Sequence, residues 1–185
     1  MRSRGLHVPR NGKGGSGRDV DTTDKQGSVF VEIGKSMIRI DPNALVNPKF
    51  LNIPYILGGR EFTGADCIGV AILWLRDHGF EYKYDDGQGA VLAHWWEHKP
   101  RRFIDAMQQL GEFVRLQEIR KFDCLMFVLG NEGVTFPSCL GVMVDDRHFL
   151  ISTENRGSFV QMMDSFWRGK FFAAVRLRET VGGGT

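Results

Sequence analysis

Tyr55-Ile56-Leu57-Gly58-Gly59-Arg60-Glu61-Phe62-Thr63-Gly64-Ala65-Asp66-Cys67-Ile68-Gly69 is the stretch on which the fold turns. Its first part is rich in glycine and reads as a loop that ends at Asp66. From Cys67 the chain becomes apolar, through Ile68, Val70, Ala71, Ile72, Leu73, Trp74 and Leu75, and Gly79 is a helix stop. This predicts a helix buried on most sides, with Cys67 in its first turn. Asp66 is placed to cap or orient that turn rather than to titrate. The unpaired N–H groups and the positive dipole end of a helix start favour a thiolate. A free cysteine titrates near roughly 8.5, and such a site lowers that value. The plain alternative is that Cys67 is a small buried hydrophobe.

Tyr55, Gly58, Gly59, Gly64, Asp66, Cys67 and Gly69, at this spacing, resemble the signature of the NlpC/P60 family of cell-wall cysteine peptidases. The resemblance implies that Cys67 is the nucleophile and that Tyr55 shapes the substrate and oxyanion region. It also implies an α+β, papain-like fold: helices first, with the nucleophile at a helix start, packed on an antiparallel sheet. Where the family often has Ser after the cysteine, this chain has Ile68.

The chain has 185 residues, 42% of them hydrophobic and 11% aromatic, enough for one domain with a real core plus a tail. A net charge of +2 does not point to nucleic acid. The three cysteines, Cys67, Cys124 and Cys139, are odd in number and far apart, which does not read as a disulfide framework. The N-terminus carries arginines without the apolar core of a signal peptide. No run approaches the length of a membrane span.

Residues 1–27 are basic and rich in glycine, and read either as a disordered tail or as an arm that orders on a partner. Apolar residues flanking Gly34-Lys35-Ser36 predict an added β-hairpin over 28–48. The NlpC/P60-like domain is expected over 49–178, and 179–185 as a fraying tail. Ala90 to His98 reads as a helix carrying His94 and His98 on one face. With Trp95 and Trp96 between them and no third ligand at an obvious spacing, an amphipathic helix is favoured over a metal site. Phe103 to Leu110 is a second helical stretch. Strands follow, at Cys124–Leu129, Leu140–Val144, His148–Ile151, Phe159–Met162 and Phe171–Leu177.

The resemblance extends across that second half. Phe122-Asp123-Cys124-Leu125-Met126-Phe127 is similar to the family's Gly-Asp-Leu-Val-Leu-Phe strand, and Cys139-Leu140-Gly141-Val142 to its His-Val-Gly-Ile strand. Trp167, Phe171, Phe172 and Arg176, together with the Trp74-bearing helix and the Trp95-Trp96 insert, look more like tail-assembly proteins of tailed phages than secreted hydrolases. The departure matters more. Cys139 stands where the family's catalytic histidine is expected, and Ile151 where the residue that orients it is expected. Ser152 is the nearest polar side chain, and His148 is expected on the opposite face of its strand from Ile151.

A cysteine nucleophile needs a base, and a second thiol cannot supply the charge of an imidazolium. Three readings remain open. One is a pseudo-enzyme that keeps the scaffold for assembly in a phage tail or tail tip. The second is an active peptidoglycan endopeptidase with a displaced base, acting on the stem peptide. The third uses Cys67, Cys139 and Cys124 as soft metal ligands, or Cys67 with Cys139 as a redox pair. The first is favoured. It implies other phage tail proteins as partners, a place in the virion after assembly in the host cytoplasm, and neither cofactor nor metal.

Overall fold

The computed structural model describes residues 29–33, 36–80, 99, 101–130 and 135–178. The expected arm over 1–27, the 82–89 loop, the helix bearing His94 and His98, and the 179–185 tail lie outside the described residues.

The chain opens with an antiparallel pair, β1 (Val29–Ile33) and β2 (Ser36–Ile40), Val31 opposite Ile38. Two 3-10 turns, Pro42–Leu45 and Pro48–Phe50, are each capped by the preceding Asp41 or Asn47. The loop before Cys67 contains a minimal hairpin where the sequence predicts only a loop. It consists of β3 (Arg60–Glu61) and β4 (Gly64–Ala65), paired antiparallel.

Helix α1 runs Cys67–Asp77, and every residue from Cys67 to Leu75 is buried. Its end is fixed by backbone chemistry. Gly79 takes φ +85°, its N–H donates to the Arg76 carbonyl, and the Phe80 N–H reaches back to the Leu75 carbonyl. That double closure needs a left-handed residue, which glycine supplies at little cost. Helix α2 (Arg102–Leu110) leads directly into β5 (Gly111–Val114).

The main sheet is antiparallel, with order β5-β10-β6-β7-β8-β9. The remaining strands are β6 (Cys124–Phe127), β7 (Cys139–Met143), β8 (His148–Thr153), β9 (Gly157–Met162) and β10 (Phe171–Leu177). All residues of β6 and β7, and all but the last of β8, are buried. Neighbouring strand residues point to opposite faces, so both faces of these central strands are covered. This is why they read as continuous apolar runs rather than as alternating ones. Helix α1 packs on β7 and β8. A short helix missed in the sequence, α3 (Ser165–Lys170), sets Trp167 edge-on against Phe127 and Phe149, at 5.0 and 5.1 Å between ring centres. The architecture is α+β, as expected from the order of helices and strands.

Phe122 introduces β6 with φ +74°, a left-handed conformation that a bulky side chain rarely adopts. The sequence comparison that aligned it with a family glycine therefore fell on a position whose backbone calls for one. Next to it, Asp123 is 1% exposed and gripped by Arg176 through two parallel bonds of 2.9 and 2.8 Å. This fork joins β6 to β10.

Candidate active site

Cys67 is the first residue of α1, and the turn that presents it is built around Asp66. That carboxylate is 3% exposed. Oδ1 accepts the Gly69 N–H at 2.7 Å and the Arg60 guanidinium at 2.7 Å, while Oδ2 accepts the Gly58 N–H at 2.9 Å. Asp66 is thus an N-cap that also ties the glycine loop to the helix start. The loop lies against the helix without side chains between them. A Cβ on Gly69 would overlap the Gly59 carbonyl, and one on Gly59 would overlap the Gly64 carbonyl.

Tyr55 reaches the same place by another route. The buried Ser158 hydroxyl accepts the Ile53 N–H at 2.8 Å and donates to the Phe50 carbonyl at 2.7 Å. The Ala65 N–H donates to the Pro54 carbonyl at 3.0 Å. The chain is thus held just before Tyr55, at Phe50, Ile53 and Pro54. Burial pushes the phenol well above its ordinary value, and the neighbouring Cys67, Asp66, Cys139 and Glu154 push it the same way. A neutral phenol beside both thiols is a hydrogen-bond donor, not a base.

Cys139 opens β7 and meets Cys67 directly. The neighbouring Cys67 thiol, and then burial, hold the Cys139 thiol well above the usual range. The Cys139 sulfur is also 3.8 Å from the Ser152 carbonyl oxygen and 3.9 Å from that of Leu140. Cys67 and Cys139 are 8% and 7% exposed, and no disulfide joins them. Ile151 is fully buried in β8, paired with Gly141 on one side and Phe159 on the other. Ser152 is the polar residue at this end of β8, its hydroxyl donating to the Ala65 carbonyl at 3.3 Å.

The structure separates the remaining candidates from this cluster. His148 is one residue beyond the Met143–Phe149 pair, at the opposite end of the β7–β8 ladder from Cys139. Five residues of strand put it roughly 16 Å away. There its Nδ1 faces Asp145 at 2.9 Å, and its Nε2 is buried with no partner among the described residues. His78 caps the far end of α1, eleven residues or roughly 16 Å from Cys67. Among the described residues no imidazole is therefore within reach of the Cys67 sulfur. His7, His94 and His98 lie outside them.

Cys124 also leaves the thiol set. It pairs with Val142 and Val175 at the far end of β6, and burial, then Asp123, push its thiol up to about 12. The reading that joined it to Cys67 and Cys139 as a ligand set is corrected on this geometry. Among the described residues, no group of three His, Cys, Asp or Glu side chains is gathered as a metal ion would require. Also among them, no helix is long and apolar enough to cross a membrane.

Sequence reasoning singles out Ser152 only as the nearest polar side chain to Ile151, and it misses Ser158; both serines are buried and stitch the site. Ser152 and Ser158 each bond a segment more than eighty positions away. Their one local signal is a hydroxyl in an otherwise apolar strand.

No protein-family profile matches the chain, and no curated protein does. Solved structures are informative. An NlpC/P60 family protein from Bacillus cereus ATCC 10987 superposes with a TM-score of 0.51 at 17% identity, covering 84% of this chain and 52% of that one. A lipoprotein-like NLP/P60 family protein from Staphylococcus aureus gives 0.48 at 18% identity, covering 72% of this chain and 39% of that one. The NlpC/P60 domain of the peptidoglycan hydrolase SagA gives 0.47 at 15% identity, covering 75% of this chain and all of that one. The chain thus spans well under two thirds of the first two and the whole of the third. It has the NlpC/P60 fold.

Proposed function

We propose that this NlpC/P60-fold domain is a structural component of a phage tail or tail tip, descended from a peptidoglycan hydrolase, in which wall hydrolysis is weak or absent. The observation that carries the loss of activity is the pairing of Cys67 with a thiol. A peptidase cysteine must hand its proton to a base and later return one to the leaving amine. Cys139 is a poor acceptor, because the neighbouring Cys67 and burial hold its thiol well above the usual range, so that it keeps its own proton. The orienting position beside it, Ile151, carries no polar atom in its side chain. The nucleophile half of the site is nonetheless intact: capped turn, buried helix start and Tyr55 alongside. That arrangement is expected if the scaffold persists for another use. The tail assignment rests on the resemblance of the Cys67 segment, the Trp74 helix and the closing Trp167–Arg176 segment to tail-assembly proteins. Its partners are then other tail proteins.

The second reading is an active endopeptidase that opens stem-peptide amides locally during phage entry. It is favoured by the same intact half. Backbone N–H groups at the start of α1 are placed to hold an oxyanion formed by attack from Cys67. The test is digestion of purified peptidoglycan by the full chain and by Cys67→Ala, followed by analysis of released peptides. No difference between the two supports the first reading. Release that disappears in Cys67→Ala overturns it in favour of the second.

A further inference from the structure

The mechanism of a cysteine peptidase has no use for a second thiol beside its nucleophile, yet the fold brings one there from seventy-two positions away. Cys67 comes from the start of a helix and Cys139 from the start of a strand on which that helix packs. Ser152 ties the two together: its hydroxyl donates to the Ala65 carbonyl, two positions before Cys67, and its own carbonyl oxygen lies 3.8 Å from the Cys139 sulfur; both cysteines are buried and neither is in a disulfide. Cys124, the remaining cysteine, is three ladder positions along β7 from Cys139 and 1% exposed. Of the three, this pair alone is placed for sulfur–sulfur chemistry.

We propose that Cys67 and Cys139 form a reversible dithiol–disulfide couple, with Cys67 the sulfur that meets a small peroxide and Cys139 the sulfur that resolves the product. The roles follow from position. Cys67 is the first residue of a helix, whereas the Cys139 thiol faces the Ser152 and Leu140 carbonyl oxygens in its strand and holds its proton. The Cys67 sulfur attacks one peroxide oxygen, the O–O bond breaks and hydroxide leaves. Cys67 is then a sulfenic acid, oxidised by two electrons. The Cys139 sulfur attacks the Cys67 sulfur, the S–O bond breaks, and the hydroxyl departs with the Cys139 proton as water. A dithiol reductant reverses the couple and regenerates both thiols. The disulfide masks the nucleophile and shields it from irreversible oxidation. The proposal does not depend on whether the site cleaves peptidoglycan.

The test treats the full-length protein with hydrogen peroxide, quenches with an alkylating agent and maps the peptides by mass spectrometry. The expected result is the loss of two hydrogens, a cross-linked peptide pair containing Cys67 and Cys139, and full recovery of both thiols on reduction. Cys139→Ser, lacking the resolving sulfur, is expected to accumulate Cys67 sulfinic acid instead. If that variant does not fold, Cys67→Ser serves, with Cys139 expected to remain an unmodified thiol under the same peroxide. The proposal is overturned if the unsubstituted protein gathers sulfinic acid at Cys67 without a cross-link. A cross-link through Cys124, or oxidation of Cys139 in Cys67→Ser, overturns it equally.

Discussion

The backbone carbonyl of Ser152 lies 3.8 Å from the sulfur of Cys139. A carbonyl in that place is an acceptor for whatever donor position 139 carries. In a working Cys–His site the imidazole must be held by a partner on its far nitrogen. Ile151 offers none in its side chain, but the Ser152 carbonyl can take that N–H. Cys139→His should therefore place an oriented imidazole against Cys67. An imidazolium neighbour brings a cysteine thiol down to roughly 3–4. The expected outcome is rapid alkylation of Cys67 below pH 7 in the variant, where the parent reacts slowly. The check is the alkylation rate against pH in both proteins, in a Cys124→Ser background. Superimposable profiles would show that an imidazole at 139 does not engage Cys67.

Asp66 joins three elements through one buried carboxylate. Asp66→Ala removes a helix cap and leaves Arg60 and the Gly58 N–H without their acceptor. Arg60 is a quarter exposed, so water offsets part of its loss. The expected cost is about 2–3 kcal/mol, read as a lower urea midpoint at unchanged slope. Asp66→Asn should cost less, since the amide oxygen still caps Gly69.

Phe122 offers a test of backbone strain. The left-handed conformation costs a residue with a side chain about 1–2 kcal/mol relative to glycine. The ring returns some of this by packing on Phe80 and His78, at 4.9 and 5.2 Å between centres. Phe122→Ala loses the ring and keeps the strain, while Phe122→Gly loses both. The glycine variant should be the more stable of the two by about 1 kcal/mol, the reverse of the usual order at ordinary φ. Equal stabilities would argue that φ relaxes in the variants.

Asp145 sets an acid limit. Burial pushes its carboxyl up, but the N–H groups of Arg147 and His148, and then the His148 ring, outweigh this and hold it below its ordinary value. A depressed carboxyl stabilises the fold above its unfolded value of about 3.9, and that stabilisation fades as pH falls through the folded value. Asp145→Asn should thus lower stability at pH 6–7 and flatten its decline below about pH 4. Parallel acid limbs in the two proteins would refute the role given to Asp145.

The helix at Cys67 was legible because its signals are local: an acidic cap, an unbroken apolar run and a stopping glycine. Cys139 at the head of β7 was legible through its short apolar strand. Strand alternation alone set His148 on the opposite face from Ile151, but its distance along the ladder from Cys139 was not legible, because it depends on how β7 and β8 are registered, and a one-residue slip changes every facing pair. Nor did any local signal show that Ser158 would anchor the chain before Tyr55. That bond spans 105 positions and exists only once β9 is in place. Helix α3 escaped notice because six residues with Gly169 inside give too little periodicity to read.

The contact of Gly59 with Gly69 has a consequence for how such a domain changes its trade. The nucleophile is held by main chain lying on main chain, which no exchange of side chains at 139 or 151 disturbs. Position 139 owes its place to the strand that carries it. One half of the chemistry is written into the scaffold, and the other is a single interchangeable part. An exchange at 139 therefore changes what faces Cys67, while the main-chain contact that presents Cys67 stays as it is.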